Sequence, residues 1–168
     1  MTPYLVTPPL SLPVDDLSMK AHLRVAHDDD DADIFEKQSG AVAALDGWGG
    51  QLGRCIMPQV WAVDVIGPGP HLLPFPDASN VTATVSNASV DVTTIRHPIG
   101  TCATVVAGSE DAVTIAATYG LPRPRIEAAR TLIKLMVQRE FDVMAGPDYD
   151  AITRTISHLI KILRWSRV

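Results

Sequence analysis

Apolar residues recur at helical spacing from about residue 14 to 45, alternate from 56 to 120, and return to helical spacing after 121. Residues 1–13 come before any periodicity: Pro3, Pro8, Pro9 and Pro13 remove amide donors and predict an extended arm or an edge strand. Asp15 then offers an N-cap for a short helix to about Val25, with Met19 and Leu23 one turn apart and Lys20 and Arg24 on a neighbouring stripe. A second helix opens at the aspartates Asp28 to Asp33 and runs to about Leu45, with Ile34, Gln38, Ala41, Val42 and Leu45 on one face. It must stop in Leu45-Asp-Gly-Trp-Gly-Gly-Gln-Leu-Gly-Arg54, because Gly47, Gly49, Gly50 and Gly53 cost too much backbone freedom inside a helix. Within that joint, Trp48 is expected to act as the anchor while the backbone turns.

The alternating stretch predicts strands. Trp61, Val63 and Val65 alternate with Val60, Ala62 and Asp64, and Val81, Ala83 and Val85 with Thr82, Thr84 and Ser86. After a turn at Asn87-Ala88 the pattern continues through Val90, Val92 and Thr94, then Thr104 and Val106, then Val113, Ile115, Ala117 and Tyr119. Helix resumes at Pro122-Arg-Pro124, with Ile126, Ala129, Ile133 and Met136 as its buried stripe and Arg123, Glu127, Arg130 and Lys134 solvated. Gly146-Pro147 is expected to end it, and Asp148 to cap a last helix. There Ile152, Ile156, Leu159, Ile160 and Leu163 make an apolar face, and Arg154, His158 and Lys161 a basic one. The fold class is therefore α+β: a bundle of about four helices, with an antiparallel sheet of about five or six strands inserted between helix 2 and helix 3. The parts are an extended arm (1–13), a helical part (14–54), a β part (55–120), a helix (121–147) and a C-terminal helix with its tail (148–168).

A chain of 168 residues buries about 70% of its unfolded surface as one domain and needs no disulfide framework. Cys55 and Cys102 stand in no metal or redox spacing, which predicts reduced residues of a cytosolic chain. The first residues lack the basic start and apolar block of a signal peptide, and no 18-residue apolar run occurs, which predicts a soluble protein. Charge is uneven along the chain. Residues 1–50 carry 3 Lys/Arg against 9 Asp/Glu, residues 51–120 carry 2 against 5, and residues 121–168 carry 9 against 5. The opposite signs of head and tail favour head-to-tail contact between copies, or docking of the basic end on an acidic partner.

Candidate chemistry is sparse. Asp29, Asp31 and Asp33 have the first spacings of a calcium loop, but Ile34 stands where its glycine belongs and Gly40 where its glutamate belongs. The aspartates read instead as caps of a helix N-terminus and complements to its dipole. The glycine joint is not a nucleotide loop, because it closes a helix and lacks a Lys-Ser/Thr pair. The five histidines are scattered, and no nucleophile elbow or zinc spacing occurs. These absences predict no enzymatic activity, no cofactor and no metal. An acidic chain is also a poor ligand for phosphate backbones. The residues alone leave open a small ligand-binding or enzymatic cytosolic domain with a site assembled in space, and a membrane-surface or chaperone-type module using the basic terminal helix.

In their order, Lys20-Ala-His-Leu-Arg-Val25, the aspartate-rich helix start, Leu45 to Arg54, Gln59-Val-Trp61, Leu72-Leu-Pro-Phe-Pro76, Tyr119-Gly120 and the helix led by Pro122 carry a resemblance. Over nearly the whole chain the sequence resembles the head-tail connector (adaptor, or head completion) proteins of tailed bacteriophages, prophages and gene transfer agents. Phe35 to Gly40 departs from the alanine-rich second helix usual there, and residues 79–109 match only in kind. The resemblance implies a single connector domain over 1–168 and a non-enzymatic structural role. Its partners would be the portal protein, a stopper or tail-completion protein, and itself in a ring expected to be twelvefold. DNA would pass through without specific binding, and no membrane would be involved. The chain would be assembled in the bacterial cytoplasm and reside at the head-tail interface of a virion or gene-transfer-agent particle. Portal docking is then expected from Ile156, Leu159, Ile160, Leu163, Arg164, Trp165, Ser166, Arg167 and Val168, with Leu45, Gly47, Trp48, Gly49, Gly50 and Gly53 as the structural joint.

Overall fold

A computed structural model describes residues 2–97, 100–141 and 148–165. Among these are four helices and eight strands, and every strand but the first lies between the second and third helices. The chain divides into two compact units. One holds Met1–Leu10, Met57–Leu121 and Trp165–Val168, the other Ser11–Ile56 and Pro122–Arg164.

The first unit is two antiparallel sheets. Five strands lie in the order β1 (Tyr4–Thr7), β2 (Gln59–Ile66), β8 (Ala112–Tyr119), β4 (Ala78–Val85) and β5 (Ala88–Val90). Three more lie in the order β3 (Gly69–Leu72), β7 (Gly100–Val105) and β6 (Val92–His97). Strand β8 is central: Ile115 stands opposite Val63 on one neighbour and Ala83 on the other, and Val113 opposite Val65 and Val85. Its inward set Val113, Ile115, Ala117 and Tyr119 is buried throughout, as the alternation predicts. Phe75 links the aromatic core, 5.0 Å edge-on from Tyr119 and 5.3 Å from Trp61, whose indole N–H donates to Gln59 Oε1 at 3.0 Å. The β4–β5 hairpin turns at Ser86 (φ 49°) and Asn87 (φ 67°), one residue before the expected Asn87-Ala88; paired left-handed residues match the twist of the strands they join.

The sheet count differs from the expected five or six strands for three local reasons. The arm supplies β1 as an edge strand on β2. Gly69 to Leu72 pairs with β7 despite Pro70, whose missing amide is tolerated at a sheet edge. The run from Val90 to Thr94 is not one strand, because the chain leaves one sheet at Val90 and enters the other at Val92. On β7 the inward residues are Ala103 and Val105, so the expected Thr104 and Val106 point outward, Val106 with 72% of its surface exposed.

The second unit is helical: α1 (Asp16–Leu23), α2 (Asp31–Leu45), α3 (Arg123–Phe141) and α4 (Asp148–Leu163). Helix α3 packs against each of the other three. It buries Ala129, Leu132, Ile133, Met136 and Val137, a wider band than the predicted stripe, while Ile126 is only half-buried. Gly146-Pro147, the expected end of α3, lies outside the described residues, which show the helix as far as Phe141. Helix α2 presents Ile34, Gln38, Ala41 and Leu45 inward as predicted, with Val42 half-buried. Gln38 is fully buried, and its side-chain amide donates to the Val14 carbonyl at 2.5 Å, fixing the arm where it enters α1. Gln38→Ala leaves that carbonyl and a cavity behind; chemical denaturation should show a loss of roughly 2–4 kcal/mol, against less than about 0.5 kcal/mol for exposed Ala43→Ser.

Candidate functional site

The glycine joint is a loop that recoils onto the end of α2. Amides of Gln51 and Leu52 donate to the carbonyls of Ala44 and Leu45 at 2.9 and 3.1 Å, satisfying helix-end acceptors that would otherwise be orphaned. Gly47 N–H reaches Arg54 O at 2.9 Å, and the Asp46 carboxylate accepts the Ile56 amide at 2.6 Å, so the loop closes on itself. Gly47 (φ 74°) and Gly53 (φ 59°) supply left-handed turns. At Gly50 the constraint is space: a Cβ there would stand 2.3 Å from the carbonyl oxygens of both Leu45 and Asp46. Leu45, Leu52 and Ile56 are fully buried, whereas Trp48 is 38% exposed. Leu52 is a buried side chain of the joint that the sequence reading did not single out, beside the partly exposed Trp48. Six amides of the loop, those of Gly47, Gly50, Gln51, Leu52, Gly53 and Ile56, are engaged internally.

The aspartate cluster is organised by a cation that the capping argument overlooked. Lys20, at the end of α1, contacts Asp28 at 2.6 Å and Asp31 at 2.7 Å, and Lys37 pairs with Asp33 one turn along α2. Asp30 occupies the cap position of α2 but makes no side-chain cap bond, so the expected capping is replaced by ion pairing, with Asp31 and Asp33 in the first turn still favoured by the helix dipole. The genuine cap is Asp15 on α1: its carboxylate accepts from Ser18 N and Ser18 Oγ, both at 2.8 Å. These bonds from Ser18 hold the Asp15 carboxyl below its ordinary range, and the Lys20 hydrogen bond does the same for Asp28.

Beside that cap lies a cavity of about 220 Å³, lined by Pro13, Asp15, Ser18, Glu127, Arg130 and Lys134 among others. Its polar groups are largely engaged in holding the arm: Arg130 Nε donates to Pro13 O and Nη1 to Glu127 Oε1, each at 2.8 Å. Among the described residues no group of three or more His, Cys, Asp or Glu side chains could hold a metal ion, and no helix is long and apolar enough to cross a membrane.

The candidate docking residues fall into distinct environments. Ile156 and Leu163, with Ile152, are buried in the helical unit, and Leu159 and Ile160 are half-buried. Arg164 is exposed. Trp165 is half-buried and belongs to the sheet unit, where its ring lies 3.6 Å from where a Cβ at Gly100 would sit. Ser166, Arg167 and Val168 lie outside the described residues. The basic stripe Arg154, His158 and Lys161 is exposed, as predicted.

No protein-family profile and no curated protein sequence matches the chain. In structure it is similar to a chain in the neck of an empty GTA (gene transfer agent) particle computed with C6 symmetry, with a TM-score of 0.67 at 16% identity. The superposition covers 100% of this chain and 97% of that one. The two share a fold over their whole length.

Gly50→Ala drives a methyl group into two backbone carbonyls and should cost several kcal/mol, roughly 2–4, whereas Gly49→Ala, with nothing within 4 Å of its Cβ, should stay within about 0.5 kcal/mol; thermal unfolding compares them. Both depressed carboxyls contribute stability above their unfolded pKa, and that contribution disappears as pH falls through the lower folded value. An NMR titration should place Asp15 and Asp28 below the ordinary 3.8, and Lys20→Met should return Asp28 alone to that range.

Proposed function

We propose that this chain is a non-enzymatic structural protein of a phage-type particle neck: an adaptor that forms a ring beneath the portal, receives the next stopper or tail component, and leaves a channel for DNA. The observation that carries this reading is the full-length superposition on a particle-neck chain. Residue chemistry supports it. Residues 1–50 and 51–120 are net acidic, so a channel built from them repels the DNA phosphates and lets the duplex slide.

Docking on the portal falls to the end of the chain. Ile156 and Leu163 serve their own unit's core, so the contact rests on exposed Arg164, on Trp165 and on Ser166, Arg167 and Val168, with Leu159 and Ile160 contributing their open edges. The ring is twelvefold, in keeping with the connector resemblance, and the protein belongs to the head-tail interface of a virion or gene transfer agent.

Native mass spectrometry of the chain with and without the portal of the same particle tests the assignment. The expected result is a ring on the portal. Failure of the intact, folded chain to bind portal overturns the adaptor reading. Deleting residues 166–168, which spares Leu163 and Trp165, should leave circular dichroism unchanged and weaken portal binding; unchanged affinity would remove the tail from the contact.

A further inference from the structure

We infer that the exposed face of α4 docks on the acidic start of α2 in a second copy of this chain, so that copies join head to tail. The inference rests on the ring proposed above and names the surfaces that build it.

Helix α4 is amphipathic, and its two faces have different fates. Ile152, Ile156 and Leu163 are buried within the helical unit. On the exposed side stand Arg154, His158 and Lys161, spaced so that they share one stripe, with Ile162, 57% exposed, one turn beyond His158. Among the described residues none of these three basic groups has an ion-pair partner. Among the described residues this face of cations and an uncovered isoleucine has no ionic complement.

The complement in charge and composition is at the start of α2. Asp28, Asp29, Asp30, Asp31 and Asp33 gather there; among the described residues Lys20 and Lys37 pair with three of them, and His27 lies 3.8 Å from Asp29 and 3.7 Å from Asp30. The Asp28 and Asp29 side chains are 90% and 93% exposed. Phe35 follows Asp31 by one turn and is itself 55% exposed. Each surface thus combines an exposed apolar side chain with a run of charge, of opposite sign on the two, as protein interfaces combine apolar and polar contacts.

Among the described residues no ion pair joins the two surfaces within one subunit. Helices α2 and α4 each pack on α3 and are not a packed pair themselves. Two complementary patches on different flanks make a heterologous contact, which closes into a ring when the rotation per subunit permits. Contacts between exposed charges are weak singly and screened by salt, so assembly is ionic-strength dependent and gains from ring closure.

Two charge reversals in the full chain test this. Arg154→Glu with Lys161→Glu alters only α4; Asp29→Lys with Asp30→Lys alters only α2 and spares the aspartates held by Lys20 and Lys37. Sedimentation at low and high salt, and native mass spectrometry on portal, read copy-copy association. Each double variant should weaken it at least tenfold with unchanged circular dichroism, and mixing the two should restore it, since each reversed face then meets a reversed partner. Wild-type association by variants that keep their fold, or no recovery on mixing, overturns the inference. So does a wild-type chain that stays monomeric at low salt both alone and with portal. Copies that associate as described but ignore portal overturn the adaptor reading and leave this contact standing; portal binding with unchanged copy number in both variants does the reverse.

Discussion

The helical unit depends on the burial of α3. Leu132, Ile133, Met136 and Val137 are buried around so much of its circumference that one neighbour cannot cover them, and α1, α2 and α4 each supply part of the cover. At about 1.5–3 kcal/mol per fully buried large side chain, this is the largest local stabilisation the unit has. The polar contacts adjust it: Arg130 ties the arm to α3 through Pro13, Gln38 ties the same arm to α2 through Val14, and Lys20 locks the end of α1 to the start of α2. The surface left over on α2 and α4 is what remains for other chains.

Legibility in the sequence followed the strictness of the pattern. The helices were readable because their apolar residues return every three or four positions, and β8 because four inward residues alternate without interruption between two neighbouring strands. Strands β3, β6 and β7 were obscured. Their small, mildly polar residues satisfy either parity, and neither the crossing at Asp91 nor the pairing of a proline-containing strand leaves a local mark. Asp15 was recognisable as a cap because capping is settled within three residues; the Lys20 contacts depend on how two helices meet. At the glycine joint the position of the turn was clear, whereas the full burial of Leu52 was not, since it depends on what the fold brings against that side chain.

Where the described residues gather no metal-binding group, the fold and the exposed surface carry the functional argument. The full-length superposition supplies a shared fold, and the exposed faces supply the surface. Helix α4 shows why both are needed: from sequence its apolar residues look available to a partner, yet Ile156 and Leu163 already serve the unit that carries them. Gly100 makes a similar point at the chain's end. With φ 139°, Leu72 Cδ1 3.2 Å from the position of an added Cβ and the Trp165 ring 3.6 Å away, that glycine leaves room for one side of a tryptophan that stays half-buried.

The interleaving of the two units also orders events during synthesis. The segment Met57–Leu121 lies wholly between the two halves of the helical unit, so it leaves the ribosome complete while α3 and α4 are still unmade. Until then Met19, Ile34 and Leu45 lack the helix that covers them, and the nascent chain carries an uncovered apolar face through the whole translation of the sheets. The acidic residues at the starts of α1 and α2 give such an intermediate a negative charge, which favours its solubility.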